Sequence, residues 1–261
     1  MDCISCTISI GLLVGTLVGL TGLGGGVLLL PLLIYGLQAP PIVAVGSSAA
    51  FSSLTKLSGA IVHWRQGNVD WGLAGALAMG SIPGGLVGVA LLAHLRSRFG
   101  EGINDLLTTF IGVLLVLVPL LMVFQPRIER CGGLCLRDRL PQWLNRYNGA
   151  FFVGINGGLL VGLTSVGAGS VIIMFLLLFY RMTPAALVGT DIVHAVVLTG
   201  VTGIAHFGLG TVDLGLVGWL VVGSTPGVLL GSALTKVVPG IWLRWVLIAV
   251  LVTTGTWMLY A

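Results

Sequence analysis

The stretch Gly19-Leu-Thr-Gly-Leu-Gly-Gly-Gly-Val-Leu-Leu-Leu-Pro31 lies within an apolar run that has no acidic or basic side chain between Asp2 and Lys56. A run of this length can enter or cross a bilayer. Four of its glycines fall within five positions, and each costs a helix about 1 kcal/mol relative to alanine. Broken backbone at membrane depth is tolerated only where protein or a polar cavity satisfies its amides. We therefore expect two half-helices whose tips meet at a site, the second beginning near Gly26 and directing its N–H groups at an anion.

A second copy of this stretch occurs in the other half of the chain. Gly162-Leu-Thr-Ser-Val-Gly-Ala-Gly-Ser-Val171 aligns with Gly19–Leu28 at an offset of 143 residues. The same offset, without a gap, pairs His63 with His206, Asp70 with Asp213, and Gly80-Ser81-x-Pro83-Gly84 with Gly223-Ser224-x-Pro226-Gly227. The chain is therefore predicted to be an internal duplication, and paired broken segments indicate a transporter binding site. The alternative is that the glycine clusters serve only close helix packing.

The composition is that of a membrane protein. The chain has 261 residues, of which 56% are hydrophobic and 8% charged, and its mean hydropathy is +1.10. Soluble domains carry about 25% charged residues. We predict an all-α, multi-pass protein of the cell (inner) membrane, in contact with lipid. Its basic residues are not gathered on a polar module, so nucleic acid is not an expected partner.

The predicted domain organisation is a first transmembrane repeat at 1–124, a polar, arginine-rich linker at 125–148 and a second repeat at 149–261. Each half has four segments and begins with a broken one, Thr7–Leu37 or Ala150–Tyr180. The full helices expected after them are Ile42–Val62, Trp71–Leu95 and Leu107–Phe124, then Ala185–Ala205, Leu214–Val237 and Trp242–Tyr260.

Two topologies are compatible with these segments, and the charges favour one. If the broken segments cross fully, the halves are parallel and the arginines and lysines other than Lys56 divide six against five. If the broken segments are re-entrant, the halves are inverted and the division is nine against two, with only Arg96 and Arg98 on the poorer side. The positive-inside rule favours the inverted, re-entrant arrangement, with the linker cytoplasmic and both termini outside.

These motifs resemble those of a known family. Gly19 to Pro31, Pro41-x-x-Ala44-Val-Gly46-Ser-Ser48 and Gly67-Asn-Val-Asp-Trp71 are similar to the duplicated glycine motifs of the TauE/SafE family of sulfite and organosulfonate permeases. The resemblance covers nearly the whole chain except the linker. It implies a polytopic carrier, often an exporter, for small sulfur-containing anions. In the second half, Ser165 and Ala168 replace the glycines that match Gly22 and Gly25, so we expect that cluster to be the stiffer one.

Candidate site residues fall on the broken segments and on the helices that follow them. Ser48, Ser52 and Lys56 recur every four residues and form one polar stripe. A lysine within an apolar helix either faces a partner or cavity or snorkels to the interface. The full set of expected anion-binding residues is Thr21, Gly24, Gly25, Gly26, Ser48, Ser52, Lys56, Thr164, Ser165, Gly167, Ala168, Gly169 and Thr190.

Asp191 and His194 lie three residues apart in the second half and share a helix face. They are candidates for coupling transport to protons, with a structural hydrogen bond between helices as the alternative. In the inverted arrangement Asp191 would lie at the depth of Lys56, so we expect the two charges to pair across the interface between the halves.

The predicted function is that of a secondary transporter, an exporter of a small sulfur-containing anion such as sulfite or an organosulfonate. No nucleophilic triad, Walker, HExxH or Rossmann motif is present, so neither an enzyme nor a bound cofactor is expected, and no metal site is predicted. The alternative is a membrane redox or metal-binding protein built on Cys3, Cys6, Cys131 and Cys135. A zinc site would need all four on one side, which the inverted arrangement forbids.

Overall fold

The computed structural model describes residues 4–21, 25–130, 146–167, 169, 172–173, 176, 180, 182–234 and 240–260, and the regular elements among them are helices. The first half contains α1 (Ile4–Thr21), α2 (Gly26–Pro31), α3 (Pro41–Arg65), α4 (Trp71–Phe99) and α5 (Ile103–Arg130). The second contains α6 (Arg146–Thr164), α7 (Pro184–Gly208), α8 (Leu214–Leu234) and α9 (Gly240–Tyr260). The prediction of an all-helical protein is confirmed.

The helix bounds agree with the sequence to within a few residues, except near the linker. Helix α5 continues to Arg130 and α6 begins at Arg146, so helix occupies part of the segment expected to be a polar linker. Three helical stretches within the described residues are long and apolar enough to cross a membrane: Trp71–Leu120, Ala185–Gly208 and Leu214–Leu234. The first of these comprises α4, a short 3-10 turn and most of α5.

The glycine-rich stretch separates two helices, as its composition predicts. Helix α1 ends at Thr21, and α2 begins at Gly26 and continues as a π-helical turn over Leu32–Gly36. Pro41 then starts α3 at its first helical position, where a missing N–H costs nothing. Asp70 caps α4 by accepting a hydrogen bond from Leu73 N–H (3.1 Å), and Asp213 caps α8 through Leu216 N–H (2.9 Å).

Helices α1 and α8 lie parallel and touch backbone to backbone. On each contacting face a glycine recurs every fourth residue, and a Cβ atom added at any of them would overlap a main-chain oxygen of the other helix. The glycines are Gly11, Gly15 and Gly19 of α1 and Gly223, Gly227 and Gly231 of α8. These glycines therefore serve close packing, the device by which membrane helices approach each other.

Helices α4 and α6 repeat this parallel contact. The glycines that a Cβ atom would drive into the facing backbone are Gly80, Gly84 and Gly88 of α4 and Gly154, Gly158 and Gly162 of α6. Each of them is 143 residues from its counterpart in the α1–α8 contact: Gly11 corresponds to Gly154, and Gly80 to Gly223. The two contacts thus join the first helix of each half, α1 or α6, to the helix that the offset relates in the other half, α8 or α4.

Helices α3 and α7 also pack against each other, and they run antiparallel. A Cβ atom at Gly203 would meet Ala50, one at Gly200 would meet Ser53, and one at Gly59 would meet Ile192. Their crossing is marked by a hydrogen bond from Ser53 Oγ to the Val196 oxygen (3.3 Å), which joins positions 143 residues apart. Helices α5 and α9 are antiparallel too, with Gly112 beside Gly255.

The glycine contacts give a test of packing. In α4, a Cβ atom at Gly84 would overlap the Ile155 oxygen, whereas one at Gly75 would meet nothing within 4 Å. We expect Gly84→Ala to destabilise the purified protein by about 1–3 kcal/mol, the usual cost of overpacking, and Gly75→Ala to be neutral or slightly stabilising because alanine favours helix. Thermal unfolding in detergent micelles measures both, and equal stability of the two variants would contradict the contact.

Candidate functional site

The polar stripe predicted on α3 is buried inside the protein. Ser48, Ser52 and Lys56 all lie on the face of α3 that is shielded from the surroundings, and Lys56 is only 7% exposed. A charged group is costly at such a position unless it meets a partner or a polar cavity. The snorkelling alternative for Lys56 does not agree with this burial.

The tip of α2 lies against this stripe. A Cβ atom at Gly26 would be 3.0 Å from Ser52 Oγ and 3.3 Å from Ser48 Oγ. Ser48 Oγ donates a weak hydrogen bond to the Gly26 oxygen (3.4 Å). Only a glycine leaves room for these hydroxyls beside the first turn of α2, where helical N–H groups have no acceptor within the helix.

The second broken stretch reaches the same place. A Cβ atom at Gly26 would be 2.9 Å from the Ser165 oxygen, and the Oγ atoms of Ser48 and Ser165 are 3.3 Å apart. Ser165, which follows directly after α6, is buried. The two glycine-rich stretches, far apart in sequence, are therefore neighbours in space.

The backbone of the second stretch needs unusual conformations. Ser165, Gly167 and Gly169 have φ values of +57°, +105° and +142°, a region that L-residues with a side chain rarely adopt. Thr164 stabilises the turn, because its Oγ1 donates to the Leu160 oxygen (2.7 Å) and accepts from Val166 N–H (3.2 Å). Ser165 holds this conformation without being a glycine, and its hydroxyl contacts Ser48.

Helix α7 brings a carboxylate and an imidazole to the Lys56 end of the α3 stripe. Asp191 is 2% exposed and His194 is also buried. The charges of Lys56 and Asp191 attract each other across the α3–α7 contact, and the Lys56 charge also acts on His194. His194 Nε2 lies 2.7 Å from Ser81 Oγ of α4.

Asp191 and His194 each have one side-chain atom without a hydrogen-bond partner among the described residues. Asp191 Oδ1 and His194 Nδ1 are buried and make no hydrogen bond to the described part of the chain. Buried polar atoms are nearly always satisfied, so such atoms call for an explanation. The described residues thus leave the hydrogen-bonding capacity of these two atoms unused.

Some predicted residues lie elsewhere or outside the description. Gly25 is buried, but a Cβ atom there would meet Phe51 and Val18, not the hydroxyls. Thr190 Oγ1 accepts a hydrogen bond from Asp70 N–H (3.0 Å), just as Ser47 Oγ accepts from Asp213 N–H (3.0 Å). Gly24, Ala168 and the side chain of Thr21 are outside the described residues.

Ser81 contacts His194 but was not selected from the sequence as a site residue. It belongs to the repeated Gly80-Ser81-x-Pro83-Gly84 motif, so the signal was present in the sequence. Its counterpart Ser224 is likewise buried. A serine within a repeated motif of an apolar helix can therefore be considered as a candidate site residue, as a buried charge is.

Apolar helices packed around a buried cluster of hydroxyls, a lysine and a carboxylate are typical of a multi-pass membrane transporter. The chain belongs to the TauE/SafE family, since the family model described as "Sulfite exporter TauE/SafE" matches residues 7–258. It is therefore a membrane transporter and not an enzyme.

Similar proteins in bacteria carry names of the same kind. The chain is 38% identical over 231 residues to "Probable membrane transporter protein YjnA" of Bacillus subtilis, covering 87% of this chain and 89% of that protein. It is 27% identical over 238 residues to "Probable membrane transporter protein YdhB" of the same organism, covering 89% of this chain and 90% of that protein. No solved structure matches the chain at a significant level.

Proposed function

We propose that the protein is a secondary transporter that exports a small sulfur-containing anion, such as sulfite or an organosulfonate. The observation that carries this proposal is the convergence of Gly26 and Ser165 on Ser48 and Ser52. These two serines are buried and share one stripe of α3 with the buried Lys56. The family supplies the substrate class, since its model bears the description of a sulfite exporter.

The cluster has the groups that an oxyanion needs inside a membrane. Serine hydroxyls and the N–H groups of the first turn of α2 are hydrogen-bond donors, and the positive end of the helix dipole favours negative charge. Lys56 adds a full positive charge, which offsets part of the cost of burying an anion. Sulfite and sulfonates present several acceptor oxygens and so can engage more than one donor at once.

The proposal includes an inverted internal duplication with halves at 1–124 and 149–261, joined by the segment 125–148. Three observations support it. The glycine contacts α1–α8 and α4–α6 are related by the 143-residue offset, and so are the hydrogen bonds Asp70–Thr190 and Asp213–Ser47. The third observation is that α3 runs antiparallel to α7. In parallel repeats, equivalent helices such as α3 and α7 would point in the same direction. In this arrangement each broken segment enters the membrane and returns.

Transport in purified form tests the function. We expect proteoliposomes containing the wild-type protein to show saturable efflux of labelled sulfite or sulfonate above that of empty vesicles. A variant with Cys3, Cys6, Cys131 and Cys135 replaced by serine should retain most of this flux, because Cys6 is exposed on α1 and none of the described site residues is a cysteine. Absence of flux for all these anions would contradict the proposal, and loss of activity in the cysteine-free variant would favour a redox or metal-binding protein.

A further inference from the structure

We propose that Asp191 is the proton site of the transporter and that its carboxylate binds a proton each time an anion takes its place beside Lys56. The inference rests on the proposed function, because it assigns the coupling ion to the same cluster. It makes transport of a monovalent anion an electroneutral symport with a proton.

The geometry singles out Asp191. Its Oδ1 atom is buried without a hydrogen-bond partner in the described structure, and its charge is attracted by Lys56 on the facing helix. A buried carboxylate oxygen without a hydrogen-bond donor is costly in a membrane interior. Protonation removes the charge and so lowers this cost. Lys56 is buried as well, so neither charge is well solvated by bulk water.

Charge balance then links the proton to the anion. One lysine neutralises one negative charge, and in the empty transporter that charge is Asp191. When an anion binds to Lys56, the Lys56–Asp191 attraction is replaced, and an ionised Asp191 would leave a net negative charge buried. A proton taken from water on the loading side forms an O–H bond at the Asp191 carboxylate and restores neutrality. On release the anion and the proton leave together, and Lys56 and Asp191 pair again.

The surroundings favour Asp191 over His194 as the proton carrier. A protonated His194 would place a second positive charge near Lys56, whose charge already acts on that ring. Among the described residues, the other titratable groups near this part of α7 are His63 of α3, whose Nδ1 lies beside Gly189, and Asp70, whose carboxylate caps α4. Helix α4 contributes the uncharged Ser81, and α6 has no Asp, Glu, His or Lys and only Arg146 at its start.

Proton uptake on binding tests the inference directly. Purified protein in weakly buffered detergent solution is titrated with methanesulfonate, whose charge does not change with pH, and with sulfite, while an indicator dye reports protons. We expect the wild-type protein to take up about one proton per bound methanesulfonate, so that affinity rises about tenfold for each unit of pH decrease across the range of titration. Asp191→Asn should bind methanesulfonate without proton uptake and with an affinity that does not depend on pH.

Asp213→Asn is the matched control. Asp213 lies outside the cluster and caps α8, a role that asparagine fills equally well, so this variant should keep the wild-type proton uptake. Binding without proton uptake in the wild type, or unchanged uptake in Asp191→Asn, would overturn the coupling and leave the anion transporter standing. Failure of the wild type to bind either anion would instead contradict the proposed function, and the coupling with it.

If Asp191→Asn does not fold, infrared difference spectroscopy of the wild-type protein tests the same inference without a variant. Methanesulfonate binding should produce a carboxylic acid C=O band, since a carboxylate becomes protonated. A spectrum in which binding occurs and no such band is gained would overturn the inference.

Discussion

Replacing Gly26 with leucine is expected to abolish anion flux in a protein that still folds and inserts into the membrane. The new side chain would begin 2.9 Å from the Ser165 oxygen and 3.0 Å from Ser52 Oγ, so it would occupy the space between the two broken segments and the α3 stripe. Hydrogen bonds to charged groups contribute about 1.5–3 kcal/mol each, and 1.4 kcal/mol is tenfold in affinity. Even Gly26→Ala should therefore lower flux of labelled sulfite in proteoliposomes at least about tenfold.

Gly36→Ala is the matched control for this experiment. Gly36 lies at the other end of the same short helical segment, and a Cβ atom there would make only an ordinary contact with Ile10 (3.5 Å). Its flux should stay close to that of the wild type. Size-exclusion profiles and thermal unfolding establish that all three variants are folded. Wild-type flux in a folded Gly26→Leu protein would show that the anion passes elsewhere and that this glycine serves packing.

The sequence predicts the region of the site but not which of its glycines faces the serines. The cluster Gly24-Gly25-Gly26 and its partial copy indicate where the helices break, because glycine runs disfavour helix and repeat at a fixed offset. Composition alone does not distinguish Gly25, which faces Phe51, from Gly26, which faces the serines. That difference depends on the rotation of α2 about its axis, which is set by packing against α3.

Packing also explains what the sequence left open about the other glycines. The spacing of Gly11, Gly15 and Gly19 is as compatible with a flexible segment as with an interface between helices. Which of the two applies depends on the helix that packs against these glycines. For α1 that helix is α8, more than 200 residues away in sequence. By contrast, the stripe of Ser48, Ser52 and Lys56 follows from helical periodicity alone, so its shared face could be predicted. The Ser81–His194 contact joins two helices and could not.

Exchanging the charges of Lys56 and Asp191 should restore stability that either single reversal removes. Lys56→Asp alone would place two carboxylates in the buried cluster, and Asp191→Lys alone would place two ammonium groups there. Removing one partner of a buried pair costs about 3–5 kcal/mol, and reversal adds repulsion between like charges, so we expect both single variants to unfold at much lower temperature. The double variant again has one charge of each sign at the same two positions, and thermal unfolding in detergent should recover at least about 2 kcal/mol.

The recovery must depend on position and not on net charge. Asp191→Lys combined with Arg65→Asp has the same total charge as the exchanged pair but puts the new carboxylate at the exposed end of α3, so it should gain nothing over Asp191→Lys alone. Positions on α3 and α7 correspond at the 143-residue offset. A charge pair between Lys56 and Asp191 at one depth requires these helices to run antiparallel, as their contacts at Gly203, Gly200 and Gly59 indicate. If the exchanged double variant were no more stable than the single reversals, Lys56 and Asp191 would not form a charge pair. Pairing with Asp191 could then not explain how the protein tolerates a lysine in an apolar helix.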